Sequence, residues 1–136
     1  MTAHSRTTTA DGSNSLGRTA DLIMLVTLAA FSAAALAIGQ YYGSLGLAVG
    51  VSLGLLALAG FTYASAAGSL ASRLVLAVCV ASSVALHIHL GRGTLEFHFG
   101  VFVTLALLLV YRDWRPIVAT AAFFAVHHVA FDRLQA

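Results

Sequence analysis

The sequence predicts an all-α fold, a polytopic transmembrane helix bundle, from three observations. Of the 136 residues, 60% are hydrophobic and 9% are charged, and the mean hydropathy is +0.92. Long stretches such as residues 22–38 and 45–59 carry no charge, which is typical of segments surrounded by lipid rather than water. Backbone groups in lipid must bond within their own segment, and the sequence lacks the alternation of a β-barrel, so we expect helices.

Five apolar segments are predicted to span the membrane: residues 20–39, 45–63, 69–90, 97–111 and 116–131. Each is near the roughly 17–25 residues that a crossing needs, although the fourth is short. Pro116, the only proline, is predicted to open the fifth helix, because a first-turn proline costs no hydrogen bond. Gly46, Gly50 and Gly54 recur on one face of the second segment, and we expect them to let a neighbouring helix approach closely.

The first 19 residues are polar and rich in Ser, Thr and Gly. They carry too little apolar surface to offset the entropy of ordering, so residues 1–19 are expected to be a disordered cytoplasmic tail. Residues 20–136 are expected to form one transmembrane helical domain. The single cysteine, Cys79, lies within an apolar segment, where it is expected to be a small apolar filler.

The arginines predict the orientation in the membrane. With five spans, Arg6, Arg18, Arg73, Arg112 and Arg115 lie on one side, and Arg92 and Arg133 lie on the other. Because cytoplasmic loops carry the excess of positive charge, we expect a cytoplasmic amino terminus in a bacterial inner membrane. The net charge is +2, and the arginines are spread along the chain and form no basic stripe. This distribution argues against a nucleic-acid partner.

Histidines mark the opposite, outer end of the predicted bundle. If the chain crosses the membrane five times, five histidines lie at this outer end: His87, His89, His98, His127 and His128. Ionisable groups at membrane depth are costly and need a reason to be there. Because neutral imidazole is a common ligand of transition metals, we predict that these five histidines form a metal or haem site.

The spacing of these residues leaves the ligand open. His87 and His89, about 200° apart on a helix, cannot both face the bundle axis unless the helix unwinds. Glu96 is either a ligand or a group that orients an imidazole, or it pairs with Arg92. Copper or zinc would use several of the histidines. Haem b would need only two opposed ones, His89 or His98 against His127 or His128, and Arg92 would suit a propionate.

Two stretches also carry a family resemblance. The sequences HIHLGRGTLEFHFGVFV and YRDWRPIVATAAFFAVHH, followed by FDRLQ, lie within residues 84–135. They resemble the amino-terminal membrane region of bacterial methyl-accepting chemotaxis proteins and of related diguanylate cyclases and kinases. The resemblance implies a six-helix sensor followed by cytoplasmic signalling modules. This chain is expected to hold five of those helices and to lack the sixth.

These patterns favour a membrane sensor domain over two other classes. The first alternative is a membrane b-type cytochrome or electron-transfer subunit, and the second is a structural membrane fragment without a ligand. No catalytic nucleophile or acid–base pair stands out in the sequence, so no enzymatic activity is predicted. The expected partners are the lipid bilayer and a cytoplasmic signalling module, and the pattern is compatible with a homo-oligomer.

Overall fold

The structure is a computed structural model that describes residues 4–135, and the all-α prediction is confirmed over this range. Its α-helices are α1 (His4–Tyr41), α2 (Leu45–Ala66), α3 (Leu70–Leu90), α4 (Leu95–Leu107) and α5 (Trp114–Gln135), with a 3-10 turn at Leu108–Tyr111 between the last two. Within residues 4–135 there is no β-strand. Pro116 lies in the first turn of α5, as predicted, and the Asp113 carboxylate accepts a hydrogen bond from the Arg115 N–H at 3.0 Å.

The first helix, α1, begins at His4, and the disordered tail over residues 1–19 stays a prediction. Hydroxyl groups bond back to the preceding turn, from Ser15 to the Gly12 carbonyl and from Thr19 to the Ser15 carbonyl, both at 2.9 Å. In both bonds a hydroxyl donates to a carbonyl three or four residues earlier on the same helix, a common local pattern of Ser and Thr. Residues 4–19 are therefore helical in the structure, while residues 1–3 lie outside the described range.

Three helical segments of the described chain are long and apolar enough to cross a membrane: Ser15–Tyr41, Leu45–Ala66 and Leu70–Leu90. The fourth apolar segment, Leu95–Tyr111, is shorter. The fifth predicted span lies within α5, which carries charged residues and histidines near its ends. All five predicted segments are thus helical, and crossing by the fourth and fifth remains a prediction.

Helix α3 is the centre of the bundle. It contacts α1 and α2 on one side and α4 and α5 on the other, and Leu76, Ala77 and Val80 along it are completely buried. Met24 and Leu28 of α1 belong to the same apolar cluster. Because α3 and α5 run in the same direction and α4 runs against them, the ends of α3 and α5 meet the start of α4.

The glycines of α2 do not form the close contact that the sequence predicts. Among the described residues, nothing lies within 4 Å of a Cβ built on Gly46, Gly50 or Gly54. The buried face of α2 instead carries Ala48, and Gly50 lies about 200° around the helix from it. The close approach is made at Gly39 of α1, where a built Cβ would lie 2.6 Å from the Ala48 Cβ.

Replacing Gly39 by alanine should therefore destabilise the protein. The added Cβ would also lie 3.3 Å from the Leu45 Cα, so relief requires movement of backbone, and overpacking of this kind typically costs about 1–3 kcal/mol. The measurement is the thermal midpoint in detergent. The matched control is Gly50→Ala, which enters open space and gains up to about 1 kcal/mol of helix propensity. Equal midpoints for wild type and Gly39→Ala would contradict the packing described here.

Candidate functional site

A cavity of about 830 Å³ opens between α3, α4 and α5, at the end of the bundle where α3 and α5 finish. Four of the five predicted histidines line it: His89, His98, His127 and His128. The rest of the lining is mainly apolar, with Ile88, Val101, Phe102, Phe124 and Phe131, and Arg92 and Asp132 add charge. Residues from three helices, far apart in sequence, therefore share one cavity.

Two of these histidines face each other across helices. The ring centroids of His98 on α4 and His128 on α5 lie 6.4 Å apart, with an angle of 86° between the ring planes. His98 Nδ1 lies 3.3 Å from the Thr94 carbonyl oxygen. A carbonyl can only accept, so this contact requires a proton on Nδ1 and, in the neutral ring, leaves Nε2 with a free lone pair.

The other two histidines of the cavity pack against the same phenylalanine. The centroid of the His127 ring lies 4.4 Å from that of Phe131, and the His89 ring packs edge-on against Phe131 with 5.8 Å between centroids. His127 is half-buried, whereas His89 is exposed. Phe131 thus supports one histidine from α3 and one from α5.

The structure places His87 away from the cavity. Its side chain is buried, and Nε2 donates a hydrogen bond to the Phe31 carbonyl oxygen of α1 at 2.8 Å. The ring also packs against the Phe31 ring, with 5.6 Å between centroids. Because one nitrogen is used in this contact, His87 ties α3 to α1, and the structure gives it no position beside the other four histidines.

Arg92 and Glu96, the two residues predicted to support the site, lie in different places. Arg92 borders the cavity in the connector between α3 and α4, and its guanidinium carbon lies 5.8 Å from the centre of the Tyr42 ring. Glu96 is exposed and lies with Leu95 and Phe99 at a shallow surface depression outside the histidine cavity. Only Arg92 of this pair is therefore positioned to contact something bound in the cavity.

The histidines of the cavity do not form a closed metal cage. Among the described residues, no group of three or more His, Cys, Asp or Glu side chains is arranged to hold a metal ion. Structural zinc sites typically take four protein ligands, and catalytic ones take three. The cavity instead offers the facing pair His98 and His128, with His89 and His127 nearby.

A second polar cluster, which sequence reasoning missed, lies at the opposite end of the bundle. Asp21 of α1 is completely buried, and its Oδ2 accepts hydrogen bonds from the Gly68 N–H at 2.7 Å and the Ser72 hydroxyl at 2.6 Å. Close by, Arg73 makes an ion pair with Asp113 at 3.6 Å. We call Asp21, Gly68, Ser72, Arg73 and Asp113 the polar latch. A signal was present in the sequence, since Asp21 is the only acidic residue in the first apolar segment.

The polar latch joins four parts of the chain. It links α1 to the turn between α2 and α3, to the first turn of α3, and to the residue just before α5. Within the described part of the chain, Asp21 Oδ1 and the buried Tyr111 hydroxyl have no hydrogen-bond partner. The latch therefore fixes the helices at the end that the arginine distribution predicts to be cytoplasmic.

Comparison with known proteins adds no relative. No family model, no curated protein and no solved structure matches this chain.

Proposed function

We propose that this chain is a membrane sensor domain that binds a transition metal or haem in the histidine cavity. The observation that carries the proposal is the arrival of His89, His98, His127 and His128 at one cavity from three different helices. Polar groups near a membrane are costly unless they are paired or serve a ligand. The volume of about 830 Å³ also lies within the range of roughly 300–1,000 Å³ typical of small-molecule sites.

A bound group would change how α4 and α5 sit relative to each other. These two helices pack mainly on α3 and contact each other little. A ligand bound by histidines of both helices in the cavity would therefore connect them. A ligand that binds one arrangement better shifts the population towards it. Because α5 begins beside the polar latch at the other end, such a shift would reach the predicted cytoplasmic side.

The resemblance to chemotaxis receptors supports the sensor class, since all the residues that line the cavity lie within the quoted motifs. Under this proposal the partner is a cytoplasmic signalling module, and the lipid bilayer surrounds the bundle. The alternative, a membrane b-type cytochrome or electron-transfer subunit, uses the same cavity and is favoured by the facing pair of His98 and His128.

The protein purified in detergent should contain a bound metal or haem in stoichiometric amount. Elemental analysis for copper, zinc and iron, together with an absorption spectrum, is the measurement. Buffers must be free of chelators, because a chelator would remove a metal that imidazole binds reversibly. They must also not be acidic, because a protonated imidazole does not bind metal. The matched control is His87→Gln, which alters a histidine outside the cavity and should keep the full content. A protein that stays empty after incubation with copper, zinc and haem would rule out the ligand-binding proposal.

A further inference from the structure

We infer that the occupant of the histidine cavity is a haem whose iron is bound by His98 and His128 on opposite faces. This inference rests on the proposed function, because it names the ligand of the same cavity. Four observations support it: the separation of the two rings, the hydrogen bond that orients one of them, the apolar lining, and the position of Arg92.

The separation of the two rings fits two imidazoles on opposite sides of one metal. A metal–nitrogen bond to histidine is about 2.0–2.1 Å, and with roughly 1.1 Å from that nitrogen to the ring centre, two opposed rings lie about 6.3 Å apart. In a tetrahedral site the same bonds place the ring centres roughly 5 Å apart. The separation between the His98 and His128 centroids in the structure is 6.4 Å, closer to the value for opposed rings than to the tetrahedral one.

The His98 ring has the support that ligating histidines usually have. Its Nδ1–H donates to the Thr94 carbonyl oxygen one turn earlier, at 3.3 Å. Metal-binding histidines typically donate their second nitrogen in this way, which fixes the tautomer and the ring orientation. Nε2 of His98 is therefore the nitrogen left to bind iron, and His128 lies across from it on α5.

The cavity suits a flat apolar ring better than a bare ion. Two opposed imidazoles are sufficient axial ligands for haem iron, because the macrocycle supplies the other four nitrogens. Zinc would require at least one more protein ligand, and no three-residue group is available among the described side chains. The lining by Phe102, Phe124 and Phe131 matches the apolar faces of the macrocycle.

Arg92 supplies the charge that a haem would need at its edge. It borders the cavity at the connector between α3 and α4 and is solvent-exposed, as expected for a partner of carboxylates at a cavity mouth. Guanidinium groups bind carboxylates through paired hydrogen bonds. The haem propionates would therefore point to this rim, with the macrocycle between α4 and α5.

The test is the absorption spectrum of the full chain in detergent, purified from cells and then titrated with haem. The expected result is one haem per chain, a Soret band, and the sharp low-spin bands of bis-imidazole iron in the reduced protein. His128→Ala should convert the iron to a high-spin spectrum, and added imidazole should restore the low-spin form by occupying the vacated position. His87→Gln and Glu96→Gln, which change residues outside the cavity, are the matched controls and should leave the low-spin spectrum unchanged.

Other results would overturn this inference in distinguishable ways. Stoichiometric copper or zinc without a Soret band would overturn the haem assignment while the proposed metal-binding function stands. A haem spectrum that His128→Ala leaves low-spin would overturn the axial pair. A protein that binds neither haem nor metal would remove both the inference and the proposed function.

Discussion

The double substitution of His98 and His128 by alanine should abolish binding of the metal or haem to the detergent-purified protein. These are the two histidines that face each other from α4 and α5, with ring centroids 6.4 Å apart. Loss of a residue that only orients a metal ligand already costs roughly 10–100-fold in affinity, and removal of the ligands themselves should cost more. The measurement is the bound metal or haem per chain after purification.

Two substitutions separate a direct effect on the ligand from general damage. Glu96→Gln and His87→Gln change residues outside the cavity, so both should keep the wild-type content of ligand. Each single variant, His98→Ala or His128→Ala, should lower the content, because each removes one side of the pair. If the double variant keeps the wild-type amount of bound ligand, the pair is not the binding site.

Replacing Asp21 by alanine should lower the free energy of unfolding by about 3 kcal/mol, since a buried group that loses its hydrogen-bond partner costs roughly 1–3 kcal/mol. Asp21 is completely buried, and the substitution leaves both the Gly68 N–H and the Ser72 hydroxyl without their acceptor. Asp21→Asn should cost less, because the amide oxygen can still accept. The measurement is unfolding in detergent, followed by the loss of helical signal.

The control for Asp21 is Thr27→Ala on the same helix. The Thr27 hydroxyl bonds only to the Ile23 carbonyl of its own helix, at 2.9 Å, so its removal should change the stability by less than about 1 kcal/mol. Because the polar latch lies at the end of the bundle away from the cavity, Asp21→Ala should also keep the ligand content of the folded fraction. An Asp21→Ala variant as stable as wild type would show that the latch contributes nothing to the fold.

The helical architecture could be predicted from the sequence because lipid-length apolar runs have few alternatives. All five predicted segments are helical, and Pro116 falls in the first turn of α5. For the chain before residue 20, the polar composition indicates disorder and the structure describes α1 from His4, so the disordered tail stays a prediction. Amino-acid composition indicates which residues are buried, whereas a helix can continue past the buried residues.

The candidate site was predictable in part. Counting spans places the ends of α3 and α5 beside the start of α4, and this alone brings His89, His98, His127 and His128 to one cavity. The side-chain direction of His87 was not predictable, because it depends on how α3 rotates against α1. The polar latch was missed because its members are single polar residues, separated by up to about ninety positions, whose meeting depends on the packing of four chain segments.

The central position of α3 has a mechanical consequence. Ser72 at its start belongs to the polar latch and His89 at its end borders the cavity, roughly 25 Å away along the helix axis. Between them, side chains of α3 such as Leu76 and Val80 are completely buried against the neighbouring helices. Because the polar latch also holds its start, α3 is expected to act as a fixed support, against which α4 and α5 would move when a ligand binds.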